Sequence, residues 1–133
     1  MQHDQFIGQV QARAQLRSRG DAEVATRATL ETLAERLAGG EPQNAASQLP
    51  KGIDQYLNHT WSGVGDRFSL DEFFRRVSER EGAEMPDAVY HSRVVMEVLQ
   101  EAVTQGEIND IKDQLPEEFM PLFAGSEGKM PVA

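Results

Sequence analysis

Asp21-Ala-Glu-Val-Ala-Thr-Arg-Ala-Thr-Leu-Glu-Thr-Leu-Ala-Glu-Arg-Leu37 lines up, 66 residues further on, with Asp87-Ala-Val-Tyr-His-Ser-Arg-Val-Val-Met-Glu-Val-Leu-Gln-Glu-Ala-Val103. Asp21 falls on Asp87, Arg27 on Arg93, Leu30 on Met96, Glu31 on Glu97 and Leu33 on Leu99. The same displacement carries Gly40-Glu41 onto Gly106-Glu107 and Gln48-Leu49-Pro50 onto Gln114-Leu115-Pro116. Ile53 and Leu57 then meet Phe119 and Phe123. With one residue of slack, Asp4, Phe6 and Val10 meet Asp71, Phe73 and Val77. Agreement over four successive segments marks a tandem duplication.

Each copy has its own helix punctuation. Phe6, Ile7, Val10 and Ala14 share a face at helical spacing behind Asp4, as do Phe73, Phe74 and Val77 behind Ser69-Leu-Asp-Glu72. That second opening reads as a capping box, with Ser69 capping and Glu72 reaching back. A longer helix starts near Asp21 and near Asp87, and its apolar stripe is Leu30, Leu33, Leu37 or Met96, Leu99, Val103. Gly39-Gly40 and Gly106 are read as the left-handed residues that end it. A short third helix follows, over Pro42 to Gln48 and Ile108 to Gln114. Pro50 and Pro116 stop it, because the residue before a proline is pushed out of the α region. Each proline also starts a final short helix that buries Ile53 and Leu57, or Phe119 and Phe123.

No alternating β-branched run competes, so the fold class is all-α: a helical bundle of two pseudo-twofold-related copies, each with two longer and two short helices. Copy one spans residues 4–57 and copy two 69–123, joined by a linker over 58–68. Residues 1–123 form a single domain, and 124–133 read as a flexible tail. One copy alone would be a marginal core, which is why the two are expected to pack face to face.

Composition bounds the function. The chain has 133 residues, no cysteine and a formal net charge of −9. Disulfides, zinc–thiolate sites and thiol catalysis are thereby excluded. Neither a signal peptide nor a membrane span is read from the sequence, and a cytoplasmic protein is expected. The charge is uneven: 6 Lys/Arg against 7 Asp/Glu in residues 1–60, but 7 against 15 in residues 61–133. An acidic second half repels phosphate backbones, which disfavours a nucleic-acid partner despite Arg13, Arg17 and Arg19.

Catalytic spacings are missing. His3, His59 and His91 are far apart in sequence and in no metal-binding pattern. Asp87 and His91 sit four apart and read as a surface contact. Glu107, Asp110 and Asp113 form an acidic row that could hold a divalent cation weakly, but it lacks the glycine turn and ligand order of a calcium loop, so a solvated face is the better reading. The retained Arg27/Glu31 and Arg93/Glu97 pairs are read as helix-surface ion pairs. Gln48 and Gln114 are assigned to backbone groups freed by the following proline. No metal and no cofactor is expected.

Leu30-Glu-Thr-Leu-Ala-Glu-Arg-Leu-Ala-Gly-Gly-Glu41, then Gln48-Leu-Pro50, Phe73-x-x-x-Val77 and Gln114-Leu-Pro116, resemble the bacterial and archaeal family catalogued as domain of unknown function 2267, over residues 4–123. The resemblance implies a compact helical protein from a prokaryote and carries over no activity. The sequence thus points to a non-enzymatic protein-interaction or regulatory domain, binding a protein partner or itself through an aromatic surface at Trp61, His59 and Phe68. The alternative is a small-molecule binder or enzyme with a pocket between the copies, faced by Arg27, Arg93, Tyr90 and His91.

Overall fold

In the computed structural model, residues 1–59 and 62–125 are described. Trp61 and residues 126–133 of the expected tail lie outside them. The described chain is all-helical. In order come α1 (His3–Ala14), α2 (Arg19–Arg36), α3 (Glu41–Ala46), α4 (Asp54–Leu57), α5 (Leu70–Glu81), α6 (Met85–Ala102), α7 (Gln105–Asp113) and a 3₁₀ helix, η1 (Glu117–Phe123). The first and second helices of each half match in length: 12 residues for α1 and α5, 18 for α2 and α6.

The two long helices form the centre. Helix α2 packs on α1, α4, α5 and α6, and α6 packs on α1, α2, α5 and η1. Surrounded in this way, neither helix has an ordinary amphipathic pattern. Ala22, Ala25, Ala28, Leu30, Leu33 and Ala34 of α2 are buried, as are Val94, Val95, Met96, Val98 and Leu99 of α6. Small residues on α2 let its neighbours approach closely. Phe6, Phe73 and Phe119 close the core from α1, α5 and η1, with Phe73 edge-on to both Phe74 and Phe119.

The ends of the elements refine the sequence reading. Ser69 Oγ does accept from the Glu72 amide, at 3.1 Å. The Glu72 carboxylate does not reach back, however; it binds Arg75 and Arg76, which hold it down to about 2. Gly39 is left-handed, with φ 64°, but α2 and α6 already stop at extended Leu37 and Val103. Gly106 sits inside the first turn of α7. After Pro50 the chain forms only the single turn α4, and after Pro116 the 3₁₀ helix.

The linker is pinned to the end of α2. The amides of Gly63, Gly65 and Asp66 donate to the carbonyls of Ala34, Leu37 and Glu35. Gly63 accepts in turn from Gly39, and a Cβ on Gly63 would lie 2.6 Å from the Gly39 carbonyl oxygen. Only glycine fits there, with φ 83°.

Ion pairs cross between the halves. Arg13 on α1 grips Glu97 and Glu101 on α6, at 2.8 and 2.7 Å, which raises its own pKa. Arg80 on α5 grips Glu35 on α2 at 2.8 Å, and Arg76 binds Glu35, Asp66 and Glu72. Among the described residues, no helix is long and apolar enough to cross a membrane.

Candidate functional site

Polar groups collect at the junction of α3 and α7. Glu41 opens α3 and Glu107 lies in the first turn of α7. Both are 92% removed from solvent, with 8% exposure each. With Asp110, one helical turn after Glu107, they place three carboxylate oxygens within 4.8 Å of one another. Glu41 Oε1 and Glu107 Oε2 are buried without a hydrogen-bonding partner. Burial first, then Glu107 and Asp110, push the Glu41 carboxyl up to about 8. The second half's acidic row is therefore not a uniformly solvated face: Glu107 is buried beside a glutamate of the first half, while Asp113 lines a separate cleft.

The two glutamines of Gln-Leu-Pro frame this junction. Gln48 Oε1 accepts from the Thr104 amide at 2.7 Å, and Gln114 Oε1 accepts from the Ala38 amide at 2.8 Å. Neither serves the chain turn at its own proline. Each caps a backbone donor just beyond the long helix of the opposite half. Gln48 also reaches Glu107 Oε1 through its Nε2, at 3.4 Å.

A second polar site belongs to the first half alone. Glu23 on α2 accepts from the Tyr56 hydroxyl and lies 3.0 Å from His3 Nε2. Burial, then Glu23, raises the Tyr56 pKa. Sixty-six residues on from Glu23 and Tyr56 stand Val89 and Leu122, and Leu70 stands 67 on from His3. Beside Tyr56, a groove of about 300 Å³ is lined by Arg27, Glu31, Gln55, Tyr56 and His59. Arg27 and Glu31 pair there at 3.1 Å.

A third feature is an open cleft of about 440 Å³ between the halves, lined by Arg36, Ala38, Gly65, Arg67, Asp113, Gln114, Leu115 and Pro116. The Arg36 guanidinium spans the Phe119 ring, 5.1 Å from its centroid, and donates Nε–H to the Phe68 carbonyl at 3.0 Å. Among the described residues its Nη groups have no protein acceptor, and Arg67 has no ion pair.

The residues singled out from sequence are dispersed. Phe68 is buried under the guanidiniums of Arg36 and Arg76, the latter 4.0 Å from its ring centroid. His59 instead joins Arg27 in the first-half groove. Tyr90 donates its hydroxyl to the Arg13 carbonyl at 2.7 Å. His91 is buried against Glu81 of α5, not Asp87. Arg93 is half-buried on α6, and its expected partner Glu97 takes Arg13. Sequence reasoning passed over Glu41, Arg36, Arg67 and the His3–Glu23–Tyr56 set. Only the first had a signal, the alignment of Gly40-Glu41 with Gly106-Glu107.

These features define an all-helical protein with polar sites both where its two halves meet and within the first half. The chain matches, over residues 3–122, the family described as an uncharacterized conserved protein (DUF2267), and it belongs to that family. No curated protein matches the chain.

Proposed function

We propose that the protein is a non-enzymatic binding domain that takes a small anionic group, a carboxylate or a phosphate, in the cleft between its halves. One observation carries this reading: Arg36 and Arg67 line one cleft and, among the described residues, form no ion pair, not even with Asp113 in the same lining. The chain has 22 acidic against 13 basic residues, and Arg13, Arg19, Arg27, Arg75, Arg76 and Arg80 are all ion-paired. Two guanidiniums in one concave place can take an anionic group bidentately, with Leu115 and Pro116 as the apolar part of a lining that is otherwise largely polar. The cleft volume falls at the small end of the ~300–1,000 Å³ typical of ligand sites.

Binding is favoured over catalysis because most serine and threonine hydroxyls among the described residues are spent on structure, and the unpartnered ones of Thr26 and Thr29 are fully buried. Ser18, Ser69 and Thr104 cap helices, while Thr32, Ser47, Ser78 and Ser92 donate to backbone carbonyls. A protein-interaction surface has less support, since the exposed large apolar side chains among the described residues, Met1, Val24, Val64 and Met85, sit on four separate segments. In this reading the halves are two copies of one unit related by a pseudo-twofold axis, in a cytoplasmic protein. Exchanged contacts support that relation: Gln48–Thr104 answers Gln114–Ala38, and Arg13–Glu101 answers Arg80–Glu35.

The test is an amide chemical-shift titration with inorganic phosphate and, separately, succinate at low ionic strength. Shifts confined to residues 36–38, 65–67 and 113–115, and lost in Arg67→Glu, support the proposal. Absence of localised shifts, or shifts that persist in Arg67→Glu, would overturn it. Arg67 is exposed, so its replacement leaves the core alone.

A further inference from the structure

We propose that Glu41, Glu107 and Asp110 form a site for one divalent cation of the magnesium, manganese or calcium class, bridging the two halves of the chain. The site is separate from the arginine cleft and does not depend on it.

The argument begins with what is unbalanced. Glu41 and Glu107 come from opposite halves, yet both are buried and converge. In each, one carboxylate oxygen is buried without a nitrogen or hydroxyl donor, Glu41 Oε1 and Glu107 Oε2, so that with no ion the two carboxyls meet only by sharing a proton. A buried acceptor without a partner costs roughly 1–3 kcal/mol, and more when charged. The neighbours that converge on Glu41 are themselves acidic, with one oxygen of Glu107 and one of Asp110 within 4.8 Å. The cation on α7 itself, Lys112, is turned onto the Phe123 ring at 5.2 Å. Among the described residues, the side-chain donor that reaches this pair is the Gln48 amide, at 3.4 Å from the other oxygen of Glu107.

Two orphaned oxygens facing a third carboxylate need a positive charge between them. A shared proton supplies one. A divalent cation supplies two and satisfies both oxygens at once. The donor set is oxygen only, which selects hard cations over zinc or copper. Asp110 is exposed, so the site has an open side through which the ion enters and on which it keeps water. Three protein oxygens completed by water suit an ion that dehydrates reluctantly. Gln48 and Gln114 hold the two halves on either side, so the carboxylates are pre-placed by contacts that do not involve the ion.

Calorimetry on the full chain with magnesium, calcium or manganese chloride alone tests this. One ion per chain is expected, with a Kd of about 0.1–1 mM, the range of weak oxygen-ligand sites. Glu41→Gln and Glu107→Gln are each expected to weaken binding at least tenfold, as is Asp110→Asn, which alters only an exposed side chain. Asp71→Asn, on the first turn of α5, is expected to bind as the unaltered protein does. Manganese gives a readout that needs no variant: it broadens the amide signals of residues 41, 107 and 110 before any others. Absence of binding at ~10 mM ion, well above that weak range, would leave the pair holding a proton only and overturn the proposal. Binding unchanged in Glu41→Gln, or broadening spread over the exposed acids, would overturn it equally.

Discussion

Gln114 accepts a hydrogen bond from the Ala38 amide at 2.8 Å, so a side chain from the end of α7 completes the backbone just beyond α2. Gln48 does the same for Thr104 at 2.7 Å. Replacing either glutamine with leucine would strand a backbone donor. Each change is expected to destabilise the fold by about 1–2 kcal/mol, measured by denaturant unfolding. Were Gln114→Leu as stable as the parent, the bond would be incidental.

Thr29 is fully buried on α2 and its hydroxyl has no partner. The residue 66 places later is Val95, also fully buried. Thr29→Val removes the orphaned hydroxyl and keeps the branched shape. It is expected to be neutral or to stabilise by up to about 1 kcal/mol, where most core changes destabilise. A clear fall in thermal midpoint would mean that the hydroxyl has a partner after all.

Metal-free protein is expected to lose stability as pH rises from about 4.5 to about 8. Glu41 ionises near its ordinary value when unfolded but near 8 when folded. Between those values the folded chain binds the extra proton, so removing protons favours unfolding. Glu41→Gln supplies a permanently neutral partner for Glu107 and flattens that slope. Thermal melts in chelator-containing buffers at several pH values read both effects. A midpoint that climbs steadily from pH 5 to pH 8 in the parent protein contradicts the assignment.

The Tyr56 phenol is held protonated by burial and by the Glu23 carboxylate. Its absorbance change on alkaline titration is expected above the usual tyrosine range, and Glu23→Gln is expected to bring it down. If the Glu23→Gln titration overlays that of the parent, Glu23 does not control the phenol.

Much of the helical architecture was written in local pattern. Phe6, Ile7 and Val10 fix the inner face of α1 by spacing alone, and Ser69 marks the start of α5. What local pattern could not contain was which half each polar group serves. Gln48 stands beside Pro50 in sequence, so a local role at the proline was the natural reading; its acceptor oxygen is committed 56 residues away. Glu97 stands four from Arg93, yet Arg13, which binds it from α1, stands 84 residues away. Glu41 and Glu107 were visible as a repeated Gly-Glu pair, yet their approach depends on how α3 meets α7. That is tertiary information, carried by no single helix. Arg36 and Arg67 gave no signal at all, since an arginine reveals its lack of partners only once the fold has assigned the others.

Arg13 reaches from α1 to α6 and Arg80 from α5 to α2, so each half is clasped by the first helix of the other. The two halves are thus tied to each other by reciprocal contacts. What the linker supplies is largely effective concentration, turning an association of two bodies into a ring closure. A chain severed in that linker is expected to reassemble from its pieces, with a melting point that depends on how much of each piece is present.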